Sequence, residues 1–201
     1  MSSFLDKIFG SKIEVDLAKI GLEAELCFEQ TRVDIALIQK IRESPRKNEL
    51  TSDYMNFFFH LASLRKDHSI DYTEELSLLK DYLRLWEQSS TEPVFIRYEE
   101  LDELVSAKKI PPLILLPLIA NALQWGYNSM EKYPVKIKVK AFEQLLSMEI
   151  SNRVNHHIAS QEGTMAIDRY KQRLLEVFSD RFTLLFNSNS NTFKAILLIK
   201  W

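Results

Sequence analysis

An α+β fold is predicted, with helices on one face of a mixed sheet, and three observations predict it. Apolar residues recur at helical spacing through the first 90 positions. At 135–140 the period becomes two without a fault, Val135-Lys136-Ile137-Lys138-Val139-Lys140. Between these regions, residues 110–127 form the nearly all-apolar run IPPLILLPLIANALQWGY, onto which the remainder is expected to pack.

Composition narrows the function. The 201 residues are 46% hydrophobic and 27% charged, enough for a real core, and the net charge of -2 offers no bulk attraction to nucleic acid or anionic lipid. Cys27 is the sole cysteine, which excludes an internal disulfide and a cysteine-rich zinc site and makes a cytoplasmic location the expectation. Phe4, Leu5, Ile8 and Phe9 recur at helical spacing in a segment too short and too charged for a membrane span or signal peptide.

The spacing of Leu17, Ile20, Ala24, Cys27, Ile35, Ile38 and Ile41 predicts one helix over 13–41. The polar break Ser44-Pro45-Arg46-Lys47-Asn48 follows, and Tyr54, Phe57, Phe58, Leu61 and Leu64 define a second helix. Such a hairpin lacks the surface to be stable alone, and Phe57-Phe58-Phe59 spreads apolar area around it. Pairing of two hairpins into a four-helix bundle, a homodimer, is therefore expected. A third helix starts at Asp71-Tyr72-Thr73-Glu74-Glu75 with Asp71 or Thr73 as cap, and buries Leu76, Leu79, Tyr82, Leu83 and Trp86. Residues 94–98 read as a short strand and 99–109 as a polar connection.

In the apolar run Pro117 is tolerable in a first helical turn or as a kink, Gly126 suits a left-handed helix end, and Asn121 is an isolated amide that needs a partner. Residues 135–140 and 145–150 read as antiparallel strands, 152–164 as irregular and 165–178 as helix. Residues 182–186 and 193–199 read as a closing hairpin across Asn187-Ser188-Asn189-Ser190-Asn191. The domain reading is residues 1–70 as a helical dimerisation module and 71–201 as the α/β sandwich.

This order of elements, with the run at 110–126, resembles the ATP-binding module of histidine kinases, and more narrowly the internal-region sensor kinases that work with LytTR-type response regulators. The family's run reads approximately IPPLLLQPLVENAIKHG. Leu22-Glu23-Ala24-Glu25-Leu26 resembles the LKAQI that leads into its phosphoacceptor, Leu61-Ala62-Ser63-Leu64-Arg65 its second helix, and Glu74-Glu75-Leu76 through Tyr82-Leu83 its third. Arg173-Leu174, Phe178, Asp180-Arg181-Phe182 and Thr192-Phe193 resemble its last helix and hairpin. The resemblance implies a histidine kinase-like ATPase sandwich behind the helical hairpin, with 1–70 as a degenerate phosphoacceptor module.

The departures from the family are chemical. Glu29 stands at the phosphoacceptor histidine and cannot supply a neutral imidazole nitrogen. Ala120 replaces the glutamate that acts as base, while Asn121, whose counterpart helps bind magnesium, remains. Asn152 replaces the adenine-binding aspartate. Where the family has G-x-G-L-x-N this chain has Thr164, Met165, Ala166, Ile167, Asp168 and Arg169, with Gly163 alone nearby.

The residues that the resemblance places in a nucleotide site are thus Asn121, Asn152, Gly126 and Gly163, with Asn121 the sole metal candidate and no catalytic residue. The expectation is a cytoplasmic, dimeric, kinase-shaped signalling protein without phosphotransfer, acting on an intact histidine kinase or a response regulator, with no resident cofactor. The alternative is an ATP- and magnesium-dependent kinase with a displaced acceptor, for which His60 and His68 beside the second helix are poorly placed. His156-His157 reads as a solvated loop pair, and Lys136, Lys138 and Lys140 as a solvated strand face. A third possibility, a sensor of apolar ligands in the vacated cleft, rests on Trp125 and Met165.

Overall fold

The N-terminal apolar series folds as three helices rather than two: α1 (Phe4–Arg32), α2 (Ile35–Glu43) and α3 (Lys47–Ser63). The computed structural model describes residues 4–127, 129–154, 161–189 and 191–201. The single helix predicted over 13–41 is interrupted at Asp34. This residue takes an extended conformation (φ -78°, ψ 99°), and its Oδ1 accepts from the Leu37 amide at 3.0 Å. A capping carboxylate there overrides a periodicity that runs through the break. The predicted hairpin is accordingly corrected to three helices.

The first of them lies along α6 (Gln161–Phe178). Arg169 Nε donates to Glu23 at 3.0 Å, and Lys66 Nζ bridges Glu25 and Glu176, each at 2.9 Å. Buried residues from α1 to α3, including Cys27, Leu37, Leu50 and Leu61, belong to the same apolar core as the sheet.

The third predicted helix is α4 (Tyr72–Ser89), preceded by β1 (Ile70–Asp71). Its predicted stripe is buried, and Asp71 is the cap position, although its side chain makes no capping bond. The strand predicted at 94–98 is β2 (Ile96–Asp102), which continues into the expected polar connection. It does so because it pairs in parallel with β5 (Val135–Phe142), Tyr98 opposite Ile137 and Glu99 opposite Lys138. Glu99 then ion-pairs with Lys138 at 2.9 Å, so an acidic edge strand is tolerated. β3 (Lys109–Ile110) pairs with β1.

The main sheet has the order β2-β5-β6-β8-β7, with β4 (Gly126–Tyr127) on the end of β6 (Leu145–Val154). β7 (Phe182–Ser188) and β8 (Thr192–Lys200) form the predicted hairpin, and because every pair but β2–β5 is antiparallel the sheet is mixed. β6 runs four residues beyond its predicted end at Ile150, so Asn152 is in a strand and not in an irregular stretch. Pairing on both sides, Asn152 with Phe193 and Val154 with Gly126, holds that extension. One face carries Val135, Ile137, Val139, Met148, Ile150, Leu197 and Ile199, all buried and packed with α5 (Leu116–Trp125) in the core. Lys136 and Lys140 stand exposed on the other face, as their alternation predicts. Among the described residues, no helix is long and apolar enough to cross a membrane.

Candidate functional site

The apolar run is helical only from Leu116, with Pro117 in the first turn, where a missing amide hydrogen costs nothing. The segment before it is held by a carboxylate. Glu75, fully buried on α4, accepts from the Leu113 amide through Oε2 and from the Leu115 amide through Oε1, both at 2.8 Å. Tyr170 of α6 donates its hydroxyl hydrogen to the Ile114 carbonyl at 2.8 Å. These bonds hold Leu113 at φ +59°, a left-handed conformation a leucine seldom adopts. Burial pushes the Glu75 carboxyl up to about 7, against the amides of residues 113–115, which favour its ionised form. The sequence offered one signal of this clamp: Glu75 stands three residues after Tyr72 and four before Leu79, on the buried side of its helix.

Fixed in this way, α5 and β4 place Asn121 and Gly126 beside β6 and α6. Asn121, Gly126, Asn152 and Gly163 all line one cleft of about 410 Å³, closed by Trp125 and by Phe186 and Phe193 of the β7–β8 hairpin. The two phenyl rings lie 5.7 Å apart. Asn152 donates its amide hydrogen to the Arg153 carbonyl at 3.0 Å, and the side-chain oxygens of Asn121 and Asn152 are buried with no hydrogen-bond partner among the described residues.

Gly126 is not left-handed, with φ -83° and ψ 160°. A glycine is needed there for space. A Cβ would lie 2.3 Å from the Ala122 carbonyl oxygen and 2.4 Å from Asn152 Nδ2, so the absence of a side chain lets the Asn152 amide sit against α5. Lys171 also lines the cleft, and its ammonium is held by Asp168 at 3.1 Å.

The remaining candidates lie elsewhere. Glu29 on α1 accepts from Arg32 Nη2 at 2.6 Å, and Ala120 lines a second, larger cavity that meets the first at Asn121 and Trp125. Cys27 lines that second cavity too, with its thiol pushed up to about 12 by burial, which keeps it protonated and unreactive. His60 Nε2 lies 2.8 Å from Glu74 Oε1, and neither His60 nor His68 lines either cavity. His156 and His157 lie outside the described residues. Among the described residues, no cluster of three His, Cys, Asp or Glu side chains is placed to hold a metal ion.

No family model and no curated protein matches the chain. Solved structures do. A bacterial phosphotransferase shares 9% identity at a TM-score of 0.50, over 90% of this chain and 96% of its own. The histidine kinase AdeS of Acinetobacter baumannii shares 12% identity at a TM-score of 0.47, over 76% of this chain and 77% of its own. The catalytic domain of the histidine kinase ThkA, nucleotide-free, shares 11% identity at a TM-score of 0.43, over 66% of this chain and 95% of its own. The chain therefore shares its fold with the bacterial phosphotransferase along nearly the full length of both proteins.

Proposed function

We propose that the chain is a two-component-type signalling protein of histidine kinase shape, akin to the LytTR-pathway sensor kinases, that has lost phosphotransfer and works as a homodimer by binding an intact histidine kinase or a response regulator. The observation that carries this reading is the content of the cleft. The four residues matched to a nucleotide site meet there, yet the groups that would do chemistry do not accompany them. At the acceptor position the Glu29 carboxylate is engaged by Arg32, and at the base position Ala120 has no proton acceptor in its side chain.

The cleft residues do not fit magnesium triphosphate. A triphosphate needs cationic and backbone donors, and the cleft offers Lys171, already held by Asp168, and two glycines, Gly163 and a Gly126 packed against Asn152. Magnesium is usually held by one or two carboxylates together with phosphate oxygens, whereas Asn121 brings only a neutral oxygen, buried in this conformation, and the cleft's carboxylate, Asp168, is paired with Lys171. The dimer is supported by α1 to α3, where Leu17, Leu22 and Phe59 are more than half exposed.

Titration with ATP and magnesium in a calorimeter tests the reading, with no binding below millimolar concentration as the expected result. A dissociation constant in the low micromolar range would favour the alternative, an active kinase with a displaced acceptor. His60 would be that acceptor's best candidate, since it is half-exposed and has a carboxylate, Glu74, at hydrogen-bond distance to orient its ring.

A further inference from the structure

The larger cavity, of about 580 Å³, adjoins the cleft through Asn121 and Trp125 and takes in the positions matched to the family's base and glycine-rich box, Ala120, Met165, Ala166 and Arg169. It lies where the break between α1 and α2 turns the chain aside, against α5 and the start of α6. Its room comes from small side chains on the two facing helices, Ala120 and Ala166. Its volume falls within the roughly 300–1,000 Å³ of sites that enclose a small molecule.

The walls specify the occupant's charge. Asp34 is committed to the protein, with Oδ1 taking the Leu37 amide at 3.0 Å and Oδ2 the Tyr82 hydroxyl at 2.6 Å. Arg169 is committed as well, donating to Glu23 at 3.0 Å and to Gln30 at 3.1 Å. The rest of the lining is apolar, hydroxyl, amide or thiol, so an anionic ligand would lose its hydration and find only an Arg169 already paired with Glu23.

The lining also specifies apolar bulk and a donor. Val33, Ile35 and Met165 line the cavity while exposed to solvent, Ile35 at 64% and Met165 at 50%. An apolar occupant would cover such surface. The Asn121 oxygen is buried without a partner among the described residues, on a side chain that lines the cavity, and the site would need a turn about the broad terminal torsion of this amide to bring that oxygen to the ligand. A ligand N–H or O–H would satisfy it, and a buried amide left unpaired costs about 1–3 kcal/mol.

We infer that this cavity is a binding site for a largely apolar, non-anionic small molecule carrying an N–H or O–H donor for Asn121. The inference rests on the proposed loss of the nucleotide site, since Ala120, Met165 and Ala166 at its matched positions line the cavity, and the calorimetric titration with ATP tests that reading separately.

N-phenyl-1-naphthylamine, neutral and with one N–H, brightens in apolar surroundings and serves as the probe. Saturable binding of one molecule per chain is expected at micromolar concentration. Ala120→Phe and Ala166→Phe, each checked for an unchanged circular dichroism spectrum, should weaken it at least tenfold, and Lys171→Ala in the neighbouring cleft should leave it unchanged. 1-Benzylnaphthalene, which has a methylene in place of the N–H, should bind at least fivefold more weakly to the natural chain and equally to Asn121→Leu. Absence of saturable binding, insensitivity to both filling substitutions, or loss in Lys171→Ala would overturn the site. So would a stoichiometry of one probe per two chains, which would place the probe at an interface between copies. Equal binding of the two probes to the natural chain would overturn the role of Asn121.

Discussion

Two residues control how α5 sits, and each gives a measurable expectation. Gly126 leaves room for Asn152: a methyl group there would meet the Ala122 carbonyl oxygen and the Asn152 amide, both well inside contact distance. Gly126→Ala should therefore cost roughly 1–3 kcal/mol, read as a lower urea midpoint with an unchanged slope. A wild-type midpoint would mean that β4 and β6 move apart freely. Glu75 acts on the start of the same helix. Its carboxyl titrates near 7 in the folded protein against an ordinary 4.5, so between those values the folded chain binds more protons than the unfolded one. The stability that Glu75 contributes is thus greatest below pH 4.5 and declines as pH rises through 7. Glu143, held down to about 2 by Lys108, Ser106 and the Val105 amide, acts in the opposite sense, but only as pH falls from 4.5 toward 2. Thermal melts between pH 5 and 7.5 should show the natural chain losing at least about 3 °C more than Glu75→Gln as pH rises. Parallel curves for the two proteins would refute the assignment.

At the level of elements, α1 to α3 present exposed Leu22 and Phe59 on surfaces that the single chain leaves uncovered. Light scattering at micromolar concentration is expected to give a dimer, and Leu22→Glu with Phe59→Glu a folded monomer. A natural chain that is monomeric would rule out the proposed dimer. Elements whose side chains repeat with one period were legible in the sequence: the stripe of α4, the alternation of β5 and the β7–β8 hairpin all lie where the pattern puts them. Elements fixed by a distant partner were not. The break at Asp34 depends on one capping bond, which is reinforced by Tyr82, 48 residues away. β2 reaches Asp102 because β5 pairs with it, and β6 reaches Val154 because β4 and β8 flank it. The cleft was partly legible. Its four residues were named from a resemblance, while the Glu75 clamp and the second cavity depend on packing between helices remote in sequence.

Over the whole molecule, the chain shares its fold with the phosphotransferase and is proposed to carry the positions matched to a nucleotide site without their chemistry. Phosphotransfer requires a nucleophile in line with the γ-phosphate and a nucleotide held rigidly against it. Both requirements are proposed to fail in this chain, the first at Glu29 and the second in a cleft without a phosphate cradle, so restoring one leaves the other unmet. Incubation of Glu29→His with labelled ATP and magnesium is the most direct test. The expected result is no acid-labile, base-stable phosphoryl adduct on either the natural chain or the variant. Autophosphorylation of Glu29→His would contradict the proposed loss of phosphotransfer at both points, because it would show a competent ATP site in a kinase disabled at a single position.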